Sequence, residues 1–531
     1  MKFPFYTIQQ RHKQKAYQNI RPATRRSPPQ PQRGETRKKN GRILPSLQDL
    51  PYLCDQETPH DSNDCQQRQP REEAGTRCAR PQKEAMLPID KEILHLAIPS
   101  IVSNITVPLL GLVDLAIAGH LGSARYIAAI SVGSMIFNII YWLMGFLRMG
   151  TSGMTGQAFG AGDAEGLRLL LRRSLTLSLC IAAAFLVLQW PLREAAMGII
   201  HPSADVWPLA TAYFDIVIWG APAMLSLYSL NGWYIGMQDT RVPMAVAIFQ
   251  NVVNIAASLL FVFAMGMKVE GIALGTLMAQ WSGVALSAAL LRRKLRSLQA
   301  PAGKRPADRT GRYSWRVFFR TDRDIFLRTV CLVAVNLAFT SAGARQGDVM
   351  LAANTLLLTF YSLFSYVMDG FAFAGEAMGG KYVGAGDSAG LSLVTRRLLF
   401  GWGLWLALAF TVAYVFGGQW LVGLLTNDAT VRTAAGAFAW WTWLIPLAGF
   451  AAFVYDGIFI GLTATRGMLL SSATASAAFF VILGTVLLLP SRVQGSPVAN
   501  HMLWLAFIVY LALRGAIQHV LIRRKGIATT P

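Results

Sequence analysis

Gly-Ala-Gly-Asp at residues 160–163 decides the fold, because the same four residues return at 384–387, about 225 residues later. Each copy is followed within one helical segment by an arginine pair. A longer stretch, Asn-Gly-x-x-Ile-Gly-x-x-x-Thr-Arg at 231–241, returns at 456–466 with aspartate in place of its asparagine. Long apolar segments lie between these copies. The repetition indicates two copies of one structural unit that is built from membrane helices.

The composition supports a membrane protein. Of the 531 residues, 53% are apolar and only 15% are charged. About 20 apolar residues are needed to cross the hydrocarbon core of a bilayer. This criterion predicts membrane helices at 92–118, 126–157, 167–190, 208–236, 242–265, 270–292, 325–343, 349–379, 393–416, 434–461, 467–489 and 500–522.

The predicted loops alternate between strongly and weakly basic. The basic loops lie on one side, together with the connector at 293–324 and both termini, which the positive-inside rule assigns to the cytoplasm. Both halves then have the same orientation. We therefore predict an all-α membrane protein with 12 transmembrane helices in two pseudo-symmetric six-helix lobes, at 86–292 and 325–531.

Residues 1–85 differ from the rest of the chain. They contain 17 Lys and Arg against 9 Asp and Glu, and 10 of the 24 prolines. This composition predicts a disordered basic tail, and an overlong gene model is an equal alternative. Three cysteines at 54, 65 and 78 do not match a zinc pattern, and we expect neither a metal site nor nucleic-acid binding.

Ionisable residues inside membrane helices are costly and therefore indicate functional sites. Asp114 lies deep in the first predicted helix, after Pro99 and Pro108, which make that helix able to bend. We interpret Asp114 as a carboxylate that faces an inner cavity and exchanges a proton. Polar residues at helical spacing on the fifth and sixth helices are candidates for the same cavity, although ordinary hydrogen bonding between helices explains any one of them equally well. They are Gln250, Asn251, Asn254, Ser258, Thr276 and Gln280.

The second half has its own polar candidates. Tyr366 and Asp369 lie on one face of the eighth helix, which also carries Glu376 near its cytoplasmic end, and Asp456 lies on the tenth. We assign Tyr366, Asp369 and Asp456 to a substrate cavity or second-lobe site, and a structural or gating role to Glu376. The chain contains no nucleotide-binding GxxxxGK[ST] loop and no catalytic constellation. The sequence therefore predicts a membrane protein that is not an enzyme.

From about residue 86 to 525 the chain resembles the multidrug and toxic compound extrusion (MATE) transporters, in their DNA-damage-inducible protein F branch. The segments that carry the resemblance are 98–114, 119–122, 146–160, 369–376, 456–466 and 511–515. The resemblance implies two lobes that open alternately to the two sides and exchange a cation for an organic compound. It places the first-helix aspartate of the family at Asp114, its bending proline at Pro99, its asparagine at Asn254 and its threonine at Thr276. Where many relatives have a second aspartate, this chain has Ser258.

These observations lead to one functional hypothesis. We expect a secondary antiporter of the bacterial inner membrane, a monomer in lipid, that exports cationic or amphipathic compounds. Protons are the favoured coupling ion, and Na⁺ bound by the oxygens of Asp114, Asn254, Ser258 and Thr276 is the alternative. Protonation of Asp114 would bend the first helix at Pro99 and displace the substrate. The main alternative function is a flippase for lipid-linked precursors, which should have several cavity-facing basic residues.

Overall fold

A computed structural model describes residues 82–297, 313–487, 497–524 and Gly526. The described residues belong to one compact unit. Most of the predicted tail and the middle of the predicted connector lie outside them. Residues 82–85, which we assigned to the tail, already belong to the first helix, and the helix after the connector begins at Trp315.

The first lobe consists of nine α-helices and two short irregular helical segments. The α-helices are α1 (Gln82–Gly119), α2 (Ala124–Met144), α3 (Phe146–Gly160), α4 (Ala164–Val187), α5 (Gln189–Ile200), α6 (Trp207–Val217), α7 (Ala221–Gly236), α8 (Arg241–Leu259) and α9 (Val269–Ser297). A 3₁₀ turn joins α6 to α7, and a π-helical turn ends α8.

The second lobe has the same number of membrane spans, formed in the described residues by eight α-helices. Its helices are α10 (Trp315–Ala344), α11 (Asp348–Ala385), α12 (Ser388–Arg396), α13 (Leu404–Leu425), α14 (Ala429–Phe438), α15 (Trp440–Gly461), α16 (Thr465–Leu487) and α17 (Pro497–Arg524). A π-helical segment joins α12 to α13.

Twelve helical spans in the described part of the chain are long and apolar enough to cross a membrane, six in each lobe. Three of them combine two helices, namely α2 with α3, α6 with α7, and α12 with α13. The same part of the chain contains no strand. The predicted all-α class and the number of membrane helices are therefore confirmed.

The repeated Gly-Ala-Gly-Asp stretch forms the same helix-to-helix turn in both lobes. Its second glycine has a left-handed backbone, with φ of 66° at Gly162 and 75° at Gly386, which glycine adopts without strain. Its aspartate then caps the next helix. Asp163 accepts a hydrogen bond from the Gly166 N–H at 2.9 Å, and Asp387 caps α12 in the same way. We call this end of both lobes the basic end, because the basic loops lie there.

The first glycine of each repeat serves the contact between the lobes. A methyl group added at Gly160 would stand 1.9 Å from the carbonyl oxygen of Lys381 in the other lobe. One added at Gly384 would stand 2.0 Å from the carbonyl oxygen of Gln157, at the matching position of the first lobe. Between these two contacts, Gly156 lies directly against Gly380. Helices α3 and α11 therefore cross backbone to backbone about the axis that relates the two lobes.

The polar contacts between the lobes cluster at this end. Gln157 donates to the carbonyl oxygen of Gly461 at 2.9 Å and to Thr463 at 3.1 Å, and Gln238 donates to the carbonyl oxygen of Ala377 at 2.7 Å. Two acidic residues in the first part of α1 also form ion pairs with the second lobe. Asp90 pairs with Arg397, and Glu92 pairs with Lys381. The lobes are therefore held together at the basic end.

We expect Gly160→Ala to destabilise this arrangement, because the added methyl group has no space beside the Lys381 backbone. Overpacking of a tight contact costs about 1–3 kcal/mol. The melting temperature of the purified protein in lipid should fall. Gly417→Ala is the matched control, since nothing lies within 4 Å of the added methyl group there. Equal melting temperatures for the two variants would contradict the close helix crossing.

Candidate functional site

Asp114 is a buried carboxylate near the end of α1. It is 9% exposed, and its Oδ1 atom has no hydrogen-bond partner in the described ranges of the chain. Its electrostatic neighbours include Tyr213 on α6, whose hydroxyl group lies 3.3 Å from that of Ser134 on α2. Since no basic side chain in the described part of the chain pairs with Asp114, its charge is uncompensated in this arrangement. Such a group exchanges a proton more readily than a carboxylate in an ion pair does.

Three of the predicted first-lobe residues lie together between α8 and α9. Asn254 Nδ2 donates to Thr276 Oγ1 at 3.2 Å, and the Oδ1 atom of Asn254 has no partner. Ser258 is fully buried with an unpartnered hydroxyl oxygen, and it lies against Gly275 beside Thr276. Tyr213 connects this group with Asp114, because it is an electrostatic neighbour of Asp114 and also lies beside Thr276. The sequence analysis did not single out Tyr213, which is one of many aromatic residues in the apolar segments.

The other first-lobe candidates connect helices. Gln250 donates to the Ala279 carbonyl on α9 at 3.4 Å, and Asn251 donates to the Thr106 carbonyl on α1 at 3.0 Å. Gln280 is buried against Gly220, and its Oε1 atom has no partner. The Oε1 atom of Gln280 is therefore available to accept a hydrogen bond inside the first lobe. The amide groups of Gln250 and Asn251 instead hold α8 against its neighbours.

Pro99 lies buried within α1, which is continuous from Gln82 to Gly119. A proline has no N–H group for the carbonyl four residues earlier, here that of His95. The hydroxyl group of Thr240 approaches this carbonyl at 3.5 Å, and Thr240 belongs to the repeated Thr-Arg pair. On the facing side, Gly370 of the second lobe packs against Ala97 and Ile101. The point at which α1 is able to bend is thus in contact with both lobes.

In the second lobe, Asp456 forms a compensated ionic cluster. It accepts hydrogen bonds from Arg328 on α10 and from Arg514 and Gln518 on α17, and all four side chains are buried. Two arginines and a glutamine saturate the carboxylate, so that it joins three helices. The sequence analysis missed both arginines, since each is a single basic residue within a long apolar segment.

Asp369 and Tyr366 lie on α11 beside the space between the lobes. Asp369 accepts a hydrogen bond from Ser365 at 3.3 Å and lies within electrostatic range of Arg148, Arg328 and Asp456. Tyr366 lines a cleft of about 530 Å³ together with residues of α2. The α2 residues of the cleft are Ser131, Ser134, Met135, Asn138, Ile139 and Trp142. Tyr366 therefore brings the second lobe to the same cleft as the hydroxyl group of Ser134, which contacts Tyr213.

Glu376 forms a buried ion pair with Arg148 of the other lobe. The Nη1 atom of Arg148 lies 3.3 Å from Glu376 Oε2, and the guanidinium group lies 4.0 Å from the ring centre of Phe373. The sequence analysis did not relate these two residues. The pair joins α3 to α11 close to their glycine crossing, and it can exist only while the lobes are together at the basic end.

A two-lobed membrane transporter is the class of protein that this fold and site define. The profile of the MatE family matches residues 99–260 and 325–486, which is one match in each lobe. The DNA damage-inducible protein F of Escherichia coli is 37% identical over 430 residues, which cover 80% of this chain and 90% of that protein. The chain belongs to the multidrug and toxic compound extrusion family, and it is an efflux transporter rather than an enzyme.

Other comparisons agree with this assignment. A probable multidrug resistance protein NorM of Deinococcus radiodurans is 27% identical, over 80% of this chain and 93% of that protein. A solved structure described as the outward-facing conformation of a multidrug resistance MATE family transporter has a TM-score of 0.72 at 18% identity, over 83% of this chain and 97% of that one. The profile of the lipid II flippase MurJ matches only residues 218–364.

We expect Glu376→Gln to weaken the closed basic end, because it leaves Arg148 buried without its counter-charge. Breaking a buried ion pair from one side costs about 3–5 kcal/mol. The melting temperature should fall, and adding Arg148→Met to Glu376→Gln should recover part of the loss. If the double variant is as unstable as the sum of the single variants, the two residues do not act as a pair.

Proposed function

We propose that this protein is a proton-coupled exporter of organic compounds, with Asp114 as the coupling residue. The observation that carries this proposal is the uncompensated carboxylate of Asp114 among neutral polar neighbours. An ionised carboxylate in such surroundings loses much of its hydration, so that proton uptake from water is favourable. Both termini and the basic end then face the cytoplasm, in agreement with the positive-inside rule.

The arrangement of the lobes fits one step of an export cycle. The basic end is held together by the glycine crossing and the Arg148–Glu376 pair, so that the cleft beside Tyr366 opens toward the outside. Proton uptake by Asp114 from the outside removes its charge, so that the carboxyl end of α1 no longer carries an unpaired buried charge. Bending of α1 at Pro99 then displaces the substrate outward. The inward-facing arrangement returns the proton to the cytoplasm.

The cleft supports an organic, cationic or amphipathic substrate. Its walls combine the apolar and aromatic residues Met135, Ile139 and Trp142 with hydroxyl and amide groups. Asp369 lies on the same helix as Tyr366 and supplies negative charge nearby. Such a mixture binds flat cationic molecules through aromatic faces and a few polar contacts. We propose that the transporter acts as a monomer in the bacterial inner membrane.

Flipping of a lipid-linked pyrophosphate is less well supported. Such a substrate requires basic side chains that are free to bind phosphate. Arg148 pairs with Glu376, and both Arg328 and Arg514 pair with Asp456. All three arginines are therefore engaged by carboxylates of the chain itself rather than free to bind phosphate.

Asp114→Asn tests the coupling residue. We expect Asp114→Asn to lose ethidium transport that is driven by an imposed pH gradient, because asparagine cannot exchange a proton. The rate of ethidium movement in proteoliposomes should equal the leak in protein-free liposomes. Asp215→Asn is the control, since Asp215 is half-exposed and pairs with Arg193 at 2.8 Å. Undiminished proton-driven transport by Asp114→Asn would overturn the proposal.

Ser258→Ala distinguishes the two coupling ions. Under proton coupling the variant should keep the parent rate with a pH gradient, and a Na⁺ gradient alone should drive neither protein. A Na⁺ site would use the buried, unpartnered hydroxyl oxygen of Ser258 as a ligand. Transport that is driven by Na⁺ and that requires higher Na⁺ concentrations in Ser258→Ala would therefore assign Na⁺ as the coupling ion.

A further inference from the structure

Asp322, near the start of α10, is a buried carboxylate that the export cycle described above does not use. It is 3% exposed, and neither of its carboxylate oxygens has a hydrogen-bond partner among the described residues. None of the ion pairs in the part of the chain that the structure describes includes it. It differs in this respect from Asp324, two residues further along, which pairs with Arg323 and accepts a hydrogen bond from Thr465 of its own lobe.

The carboxyl group of Asp322 lies directly against the other lobe. A methyl group added at Gly150 of α3 would stand 1.9 Å from Asp322 Oδ1, so that the carboxyl group fills the space that a side chain would take there. Helix α3 is the first-lobe helix that crosses α11 at the basic end, and α10 packs against it. Asp322 is therefore buried by the contact between the lobes.

The described charged groups around this contact have partners, lie elsewhere or, like Arg320 on α10 itself, are exposed. Arg148 on α3 pairs with Glu376 on α11, while Arg328 on α10 and Arg514 on α17 both pair with Asp456 on α15. On α16, Arg466 is exposed, and the one charged residue of α2 is Arg125, at the far end of that helix. Among the residues that the structure describes, none supplies a counter-charge to Asp322 while the lobes are together.

An ionised carboxylate without a counter-charge or hydrogen-bond donor is strongly disfavoured in a buried contact. A protonated carboxyl group at this place carries no charge and can remain there. When the lobes separate at the basic end, α10 leaves α3 and water reaches Asp322, which is then able to ionise.

We propose that Asp322 is a second proton-binding site, separate from Asp114, and that its protonation favours closure of the basic end. The proton enters and leaves on the same side of the membrane, so Asp322 does not carry it across. Because the closed arrangement binds one more proton, a rise in pH on this side shifts the protein toward the open arrangement. At pH values at which the closed state holds the proton and the open state has lost it, the closed-to-open ratio falls about tenfold for each pH unit.

The experiment measures the distance between the lobes as a function of pH. The native cysteines are replaced, and spin labels are attached at Arg172→Cys and Arg396→Cys, which are exposed and occupy matching positions of the repeat. Pulsed electron paramagnetic resonance in lipid nanodiscs gives the populations of short and long distances between pH 5 and pH 9. All measurements use an Asp114→Asn background, so that they do not depend on proton coupling at Asp114.

We expect the parent to shift from short to long distances as the pH rises. In Asp322→Asn the side chain is neutral at every pH. The closed-to-open ratio should therefore lose the fall of about tenfold per pH unit that Asp322 causes in the parent. Asp322→Ala should behave in the same way, which keeps the test valid if one variant folds poorly. Asp324→Asn is the matched control and should keep the dependence of the parent.

Gly150→Ala provides an independent check, because its methyl group occupies the space of the Asp322 carboxyl group. It should increase the long-distance population at pH 5, where the parent is closed. The proposal is overturned if Asp322→Asn and Asp322→Ala keep the pH dependence of the parent, or if Asp324→Asn removes it. Either result leaves the role of Asp114 in transport open to its own test.

Discussion

The close crossing of α3 and α11 is the constraint on which the rest of the structure depends. Gly156 and Gly380 lie in contact at its centre, and Gly160 and Gly384 each meet a carbonyl group of the opposite lobe. Backbones approach this closely only where side chains are absent. The crossing brings Arg148 within reach of Glu376 and buries Asp322 against Gly150. The glycines thus permit the close approach that buries these charged side chains at the lobe contact.

Much of the fold could be predicted from the sequence, because membrane helices are specified by long apolar segments and the lobes by the repeat. The helix turns at 160–163 and 384–387 could also be located, since glycine and aspartate are required there by backbone conformation and capping. The backbone contacts of Gly160 and Gly384 could not, because a glycine in sequence gives no sign of what it approaches. The repeat in the sequence indicated two copies of one unit, and the structure adds that its glycines form the contact between the lobes.

The candidate site could be predicted in part. Asn254 and Thr276 were singled out by helical spacing, and the structure joins them by a hydrogen bond. Spacing along one helix cannot reveal partners on distant helices, so the connection through Tyr213 and the arginines around Asp456 were missed. Asp322 was missed for a related reason. It lies among charged residues at the start of α10, where an aspartate is expected to be hydrated, and only the packing of the other lobe buries it.

The buried carboxylates differ in how their charges are compensated. Asn231 and Asp456 occupy matching positions of the repeat, and Asp456 is saturated by Arg328, Arg514 and Gln518. In the first lobe, Asp114 has no such partner in the part of the chain that the structure describes, and its neighbours there are neutral. A compensated carboxylate stays ionised and joins helices, whereas an uncompensated one changes its charge with its surroundings. Compensation, rather than the presence of a carboxylate, therefore separates the residues that hold a lobe together from those that respond to protons.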